Sequence, residues 1–387
     1  MSFVFNFLLL AVLCCSLVAS KPAYSLESRS STDWSFNRTA CQYPTSDPLT
    51  GCPQGTLLVG PSANFTTVQS AVASLSNSSS SNPHVILILP GNYTEQVNVT
   101  SRTPVYLLGQ TANPYNQSTN TVNIKWAAIA GNGDNAYTAT LTVAPNLDAA
   151  LTGSGTTGHA VPADNPYGCT DFRAYNIEFI NDYAPYSDGP SLALSMGYAN
   201  AGFYYCGFWS YQDTIYVGKL GNAYMYKSLI AGQTDFFYGF GTAWIQSCEI
   251  LLRSCGGGIT AWKGTDTTFV NKYGVYIHES GVRKENSSLS IEHKCPLGRP
   301  WNSLHRSIFS LTNLDNSILP AGYIDWSSRT TNETFMAEYN NTGPGFNLTA
   351  RLEGNITKEL TSAQWEPYSS PEKVFNQNGT SWIDWDA

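Results

Sequence analysis

Residues 203–250 read FYYCGFWSYQDTIYVGKLGNAYMYKSLIAGQTDFFYGFGTAWIQSCEI. Three segments in this stretch share a phase: YCGF (205–208), KSLI (227–230) and SCEI (247–250), separated by 22 and 20 residues. FYY (203–205), YMY (224–226) and AWI (243–245) run ahead of them. Each is an apolar or aromatic run of strand length followed by a polar turn, with no crossover helix between repeats. Parallel strands at such a period describe a solenoid, the parallel β-helix. A β-sandwich would place strands in hairpins about every 8–12 residues. Only GNGDN (131–135) offers a hairpin turn of that kind.

The period bears on a second oddity of the same stretch. Gln212 and Asp213, and then Asp235, interrupt segments that otherwise read as core. Ionised carboxylates are rarely buried without a partner. Asp213 and Asp235 stand 22 residues apart, the length of one coil. Residues one coil apart stack on neighbouring strands about 4.8 Å apart. The two carboxylates are therefore expected side by side in a groove walled by Tyr and Phe. Adjacent carboxylates titrate as a pair, one holding its proton more tightly, which supplies an acid and a nucleophile or base in one site. A polar ladder that serves only the turns is the alternative on spacing alone.

Composition supports the same fold class. Of 387 residues, 42% are apolar and only 12% charged, about half the usual charged share. The net charge of −8 argues against nucleic acid and anionic membranes as partners. The run ANFTTVQSAVASL (63–75) has helical spacing and is the strongest helix signal in the chain. VILIL (85–89) opens a continuous apolar run suited to a strand buried on both faces.

The start, MSFVFNFLLLAVLCCSLVAS, reads as a secretory signal peptide over 1–20, with a membrane anchor as the alternative. Residues 21–55 read as an extended N-terminal segment, and 56–387 as one β-helical domain. Sequons at Asn37, Asn64, Asn77, Asn92, Asn98, Asn116, Asn286, Asn332, Asn340, Asn347, Asn355 and Asn378 suit a secreted, extracellular glycoprotein. Seven cysteines follow the signal. Cys41–Cys52, Cys248–Cys255 and Cys169–Cys206 are the expected disulfides, leaving one buried thiol. No C-x-x-C or H-E-x-x-H occurs, so a metal centre is not expected.

Taken in order, YQDTIY (211–216), TDFFYG (234–239) and LGRPW (297–301) resemble the signature segments of the pectinesterases, or pectin methylesterases. GNYTEQV (91–97), FTTVQSAV (65–72), AYNIEFIN (174–181), ILPAGYIDWS (318–327) and EYNNTGPG (338–345) extend the resemblance over roughly residues 56–385. It implies a right-handed parallel β-helix and a cell-wall enzyme, a monomer without metal or organic cofactor. That enzyme removes methyl esters from the galacturonate units of pectin. Asp235 matches the family's nucleophile, Asp213 its general acid and later base, and Gln212 an oxyanion donor. Arg299 matches the Arg that hydrogen-bonds the nucleophile, and Trp301 a sugar platform. Tyr238 and Asn135 are further substrate contacts, Asn135 in place of a family Thr. A second oxyanion Gln of the family falls on Pro190, which has no side-chain donor and no N–H. Ser191, a loop residue or a shifted register is expected to replace it. A catalytically impaired polysaccharide-binding member of the same fold is the alternative. A Ser-His-Asp esterase would need G-x-S-x-G, which is absent. A glycosidase could use the paired carboxylates but would not require an Arg fixed on one of them.

Overall fold

The computed structural model describes residues 36–75, 82–152, 164–264, 272–376 and 379–387. The signal peptide and the sequons at Asn77 and Asn378 lie outside the described residues.

Among the described residues, the strands form three parallel sheets of eleven, eight and six strands. The chain visits the sheets in rotation. One coil passes through Asn200–Tyr204 in the first sheet, Gly207–Trp209 in the second and Ile215–Val217 in the third. It then re-enters the first at Asn222–Tyr226. This is the right-handed parallel β-helix. Gly207 pairs with Leu229 and Leu229 with Glu249, so the 22- and 20-residue spacings are the lengths of two successive coils.

Both faces of the first sheet are covered, which is why its strands show no polar alternation. Inside, Phe203, Met225, Ile245, Ile277 and Phe309 stack in register and are fully buried. Outside, Tyr224, Trp244 and Tyr276 form a second column. The C-terminal segment lies over it: Trp385 packs on Tyr224 and Tyr368 on Tyr276, each at 5.9 Å between ring centroids. The Tyr175 hydroxyl donates to Asp384 at 2.7 Å.

The turn from the first sheet to the second repeats residue by residue. Tyr205, Lys227, Ser247, Glu279, Leu311 and Asn340 all have φ between 45° and 55°. The residue after each is small and polar, and its side chain serves the coil before it. The N–H of Cys206 donates to Ser228 Oγ at 3.1 Å, that of Ser228 to Cys248 Sγ at 3.3 Å, and that of Cys248 to Ser280 Oγ at 3.1 Å. Ser280 N–H donates to Thr312 Oγ1 at 3.4 Å, and Thr312 N–H to Asn341 Oδ1 at 2.9 Å. Each left-handed residue turns the chain in one step, and the ladder satisfies backbone donors that the turn would leave orphaned.

That ladder corrects the expected disulfides. Cys41–Cys52 forms, but the second bridge is Cys255–Cys295, and Cys169, Cys206 and Cys248 are buried free thiols. Cys206 and Cys248 are ladder members, two coils apart with Ser228 between them. Cys169 is likewise held in the core, its thiol donating to Thr103 O at 3.2 Å. Cys255 lies within an irregularity of register, between Leu252 and Gly256 of the strand Glu249–Gly256, and meets Cys295 on the segment that leads into LGRPW.

The helix expected over 63–75 is shorter, Val68–Ala73, capped by the Thr67 side chain. Glu95 accepts from the N–H groups of Val68 and Gln69, both at 2.8 Å, at the positive end of that helix. The longest described helix is instead Leu348–Gly354, in a polar stretch with no sustained apolar stripe. The N-terminal segment is not wholly extended. It contains the helix Arg38–Gln42, whose fully buried Gln42 donates to Gly109 O at 2.8 Å and Asn176 Oδ1 at 2.9 Å, tying it to the coils. All ten described sequon asparagines are exposed. Asn37, Asn116 and Asn347 cap helices through their side-chain oxygen, which leaves the nitrogen for a glycan.

The Cys255–Cys295 bridge spans 40 residues. Its removal as Cys255→Ser with Cys295→Ser is expected to cost about 2–4 kcal/mol in urea unfolding. Cys206→Ser, which keeps a hydroxyl on the ladder, is expected to cost less than the double variant in the same measurement.

Candidate active site

The turn from the second sheet to the third also repeats, with different chemistry. Asp213, Asp235 and Gly257 have φ of 59°, 49° and 59°. Gln212 bridges to Thr234, and Thr234 pairs with Gly256, so these three residues occupy one column, each a coil above the last. The Asp213 N–H donates to Thr234 O at 3.0 Å, and that of Asp235 to Gly258 O at 2.7 Å. Asp tolerates the left-handed region better than most residues. The turn takes both carboxylates out of the strand alternation that had made them read as core.

The third position of the column is filled from elsewhere. At Gly257 a Cβ would collide with Asp235 Oδ1 and lie 2.8 Å from Arg299 Cζ and Nε. The absent side chain is the space through which the guanidinium reaches Asp235. Arg299 grips that carboxylate in a fork, Nε to Oδ1 at 3.0 Å and Nη2 to Oδ2 at 2.6 Å. Arg299 is aimed by its backbone: its N–H donates to Thr260 O at 2.9 Å, and Thr260 bridges to Gly298. The Cys255–Cys295 bridge joins the chain just before Gly257 to the chain just before Arg299.

The two carboxyls differ in what surrounds them. Burial raises the pKa of Asp213 well above its ordinary value, and the Asp235 charge raises it further. Arg299 and the Asn135 amide, whose Nδ2 donates to Asp213 Oδ2 at 3.1 Å, oppose this only in part. Burial also raises Asp235, but its hydrogen bonds from Arg299, the guanidinium charge and the Gly258 backbone pull it back. The shared proton therefore resides on Asp213, and Asp235 is the ionised member.

Gln212 is half-buried beside the pair, and its carbonyl oxygen accepts from Ser187 Oγ at 2.7 Å. That contact engages the acceptor end of the amide and leaves its N–H groups as donors. Ser187 N–H in turn donates to Gln233 at 3.2 Å. Ser191 N–H donates to Gln212 O at 3.1 Å, so Pro190 lies one coil before Gln212. Ser191, one expected substitute for the missing donor, is buried and paired with Ser210 Oγ at 2.9 Å.

Aromatic rings flank the pair. Tyr238 is buried, and that burial raises its phenol pKa well above the ordinary value. Trp301 is partly exposed and packs 5.7 Å from Tyr238. Among the described residues no group of three or more His, Cys, Asp or Glu side chains converges as a metal site.

A family model described as Pectinesterase matches residues 121–375. The chain belongs to the pectinesterase family. It is 31% identical over 335 residues to probable pectinesterase A of Aspergillus fumigatus, covering 86% of this chain and 90% of the relative. Pectinesterase A of Emericella nidulans is 29% identical over 337 residues, 87% of this chain and 90% of the relative. Among solved structures, the pectin methylesterase of Aspergillus niger superposes with a TM-score of 0.71 at 26% identity. That superposition covers 87% of this chain and 98% of the other.

Of the residues singled out for this pectinesterase from its sequence, Gln212, Asp213, Asp235, Arg299 and Asn135 come together directly, with Tyr238 and Trp301 beside them. Three neighbours were missed. Gly257 continues the 22-residue step from Asp213 and Asp235, so the period alone could have located it. Ser187 lies in an irregular loop and carries no sequence signal. Trp326 lies in the closing segment and stacks on the Arg299 guanidinium at 3.7 Å and on that of Arg329 at 4.4 Å. It supports the face of the fork that Asp235 does not contact.

Gly257→Ala is expected to lower the rate of ester cleavage by about 100-fold, because it displaces the guanidinium from Asp235. Initial rates on a folded variant, checked by circular dichroism, measure this. A second expectation follows from the raised carboxyls. Between their ordinary and raised pKa values the folded chain binds more protons than the unfolded chain, so the pair erodes stability as pH rises through that window. Asp213→Asn removes the share that Asp213 contributes. Its stability relative to the parent should grow as pH rises from about 4 to about 8, in melts recorded across that range.

Proposed function

We propose that the chain is a secreted pectin methylesterase that hydrolyses the methyl esters of galacturonate units in homogalacturonan. The observation that supports this best is the stacked Asp213–Asp235 pair with the Arg299 fork on Asp235 alone. That arrangement separates an ionised nucleophile from a protonated acid.

In the reaction, an oxygen of Asp235 attacks the C6 carbonyl carbon of the ester. The carbonyl electrons move onto oxygen, and the Gln212 amide donates to that oxyanion. As the intermediate collapses, the bond to methoxide breaks and Asp213 gives its proton to the departing methanol. The product of this half is an anhydride between Asp235 and the galacturonate. Asp213, now ionised, takes a proton from water as the water attacks the anhydride. Collapse releases the galacturonic acid, which then loses its proton to solvent, and regenerates ionised Asp235 and protonated Asp213. One ester and one water become one acid and one methanol.

Asn135 holds Asp213 in place between these proton transfers, and Trp301 and Tyr238 receive the sugar face. Residues 56–387 are the catalytic domain, preceded by a cleaved signal over 1–20 and the segment 21–55. The exposed sequons support export to the cell wall. The Aspergillus niger pectin methylesterase carries an N-acetylglucosamine stub.

Pro190 favours a second reading. With one oxyanion amide absent, the chain is a pectin-binding member of the fold whose catalysis is slow by on the order of 100-fold. Methanol release from highly methylated pectin separates the two. The enzyme reading expects release that Asp235→Asn abolishes and Asp213→Asn lowers by about 100- to 10,000-fold. Pectin binding with no methanol above background would establish the second reading.

A further inference from the structure

We propose that Lys263 is the receptor for a free uronate carboxylate on the galacturonan unit seated at Trp301, and that it makes the site sense the ester pattern of its substrate. This rests on the pectinesterase reading above and assigns to it a specificity residue.

Lys263 follows the strand Thr260–Trp262 in the third sheet, and its N–H is fixed to Gly239 O at 2.9 Å. The side chain enters the aromatic group beside the catalytic pair. Its ammonium sits 4.5 Å from the Phe240 ring centroid and 4.4 Å from that of Trp301. Lys263 is only 4% exposed, yet its Nζ makes no hydrogen bond. No described carboxylate forms an ion pair with it. Its pKa falls to about 8, with burial as the cause. Asp213 and Asp235 answer to each other, to Arg299, to Asn135 and to the Gly258 backbone.

Two aromatic faces offset only part of this burial. A desolvated cation–π contact returns less than the hydration that an unpaired buried ion gives up. Leucine or methionine would fill the same gap between two rings without that cost. What the ammonium lacks is an anion. A galacturonan supplies one at C6 of every sugar whose ester has been removed, and it does so where Trp301 presents a partly exposed ring. A methyl ester at the same carbon has no charge to offer. The site would thus hold a de-esterified unit more tightly than an esterified one, and its own product provides the ligand.

The test uses the full chain, with fully esterified pectin as substrate and a short, fully de-esterified oligogalacturonate as inhibitor. Methanol release by the parent protein checks the pectinesterase reading first, since no release defeats that reading independently of Lys263. In the active parent, the ratio of Ki for the oligogalacturonate to KM for the esterified pectin sets the baseline. Lys263→Met is expected to raise that ratio about tenfold, the scale of one lost charged hydrogen bond. Lys263→Arg should keep it near the parent value. An unchanged ratio in Lys263→Met overturns the proposal. So does a loss that raises both constants equally, which would mean that the lysine only props Trp301. If Lys263→Met does not fold, the parent alone decides. It must bind the oligogalacturonate more tightly than its carboxyl-reduced, neutral counterpart, and equal binding overturns the assignment.

Discussion

The register between successive coils is the constraint on which the rest of this molecule depends. Each coil must place its turns directly over those of the coil before. Otherwise the left-handed residues, the polar ladder and the interior apolar column all lose their partners at once. Two turns per coil use the same backbone device for different ends. At the first, a left-handed residue is followed by Cys, Ser, Thr or Asn, whose side chain closes an orphaned N–H of its neighbour coil. At the second, the left-handed positions hold Asp213, Asp235 and Gly257, and the column becomes a reactive site. Chemistry has been placed where the fold already needed a turn.

The electrostatics of that column follow from its geometry. Stacking two carboxylates in a buried groove raises both, and symmetry would leave the proton shared. Arg299 breaks the symmetry because it reaches one carboxylate in a two-pronged fork, through space that Gly257 leaves open. The supports of Arg299 are spread widely along the chain: Thr260, Gly298, Trp326 and the Cys255–Cys295 bridge. Each constrains a different degree of freedom of one guanidinium. The charge split is thus a property of the tertiary structure around Asp235, although both acids sit in the same kind of turn.

Local sequence was a good guide where a single repeating interaction dominates. The 22-residue step, the apolar run at 85–88 and the order of the signature segments all reflect such repetition. It was a poor guide where several interactions compete. Cys248 and Cys255 are close in sequence and suggested a bridge. The polar ladder holds the first inside the β-helix, while the register irregularity in Glu249–Gly256 accompanies the pairing of the second with Cys295. The apolar spacing at 63–75 suggested a longer helix than Val68–Ala73. That helix begins where Thr67 caps it and Glu95 binds its free N–H groups. Ser191 appeared to be a substitute for the missing amide at Pro190, but its hydroxyl is already committed to Ser210.

The sequence by itself determined the fold class, the coil length and the column that brings Asp213 over Asp235. Those follow from a period, and a period is written along the chain. Only the tertiary structure decided which carboxylate keeps the proton, which cysteines pair and which ammonium is left without an anion. These depend on groups such as Arg299, Cys295 and Trp301 that arrive from distant coils. Burial and charge act through space at a few ångströms, so their outcome is settled by what packs nearby.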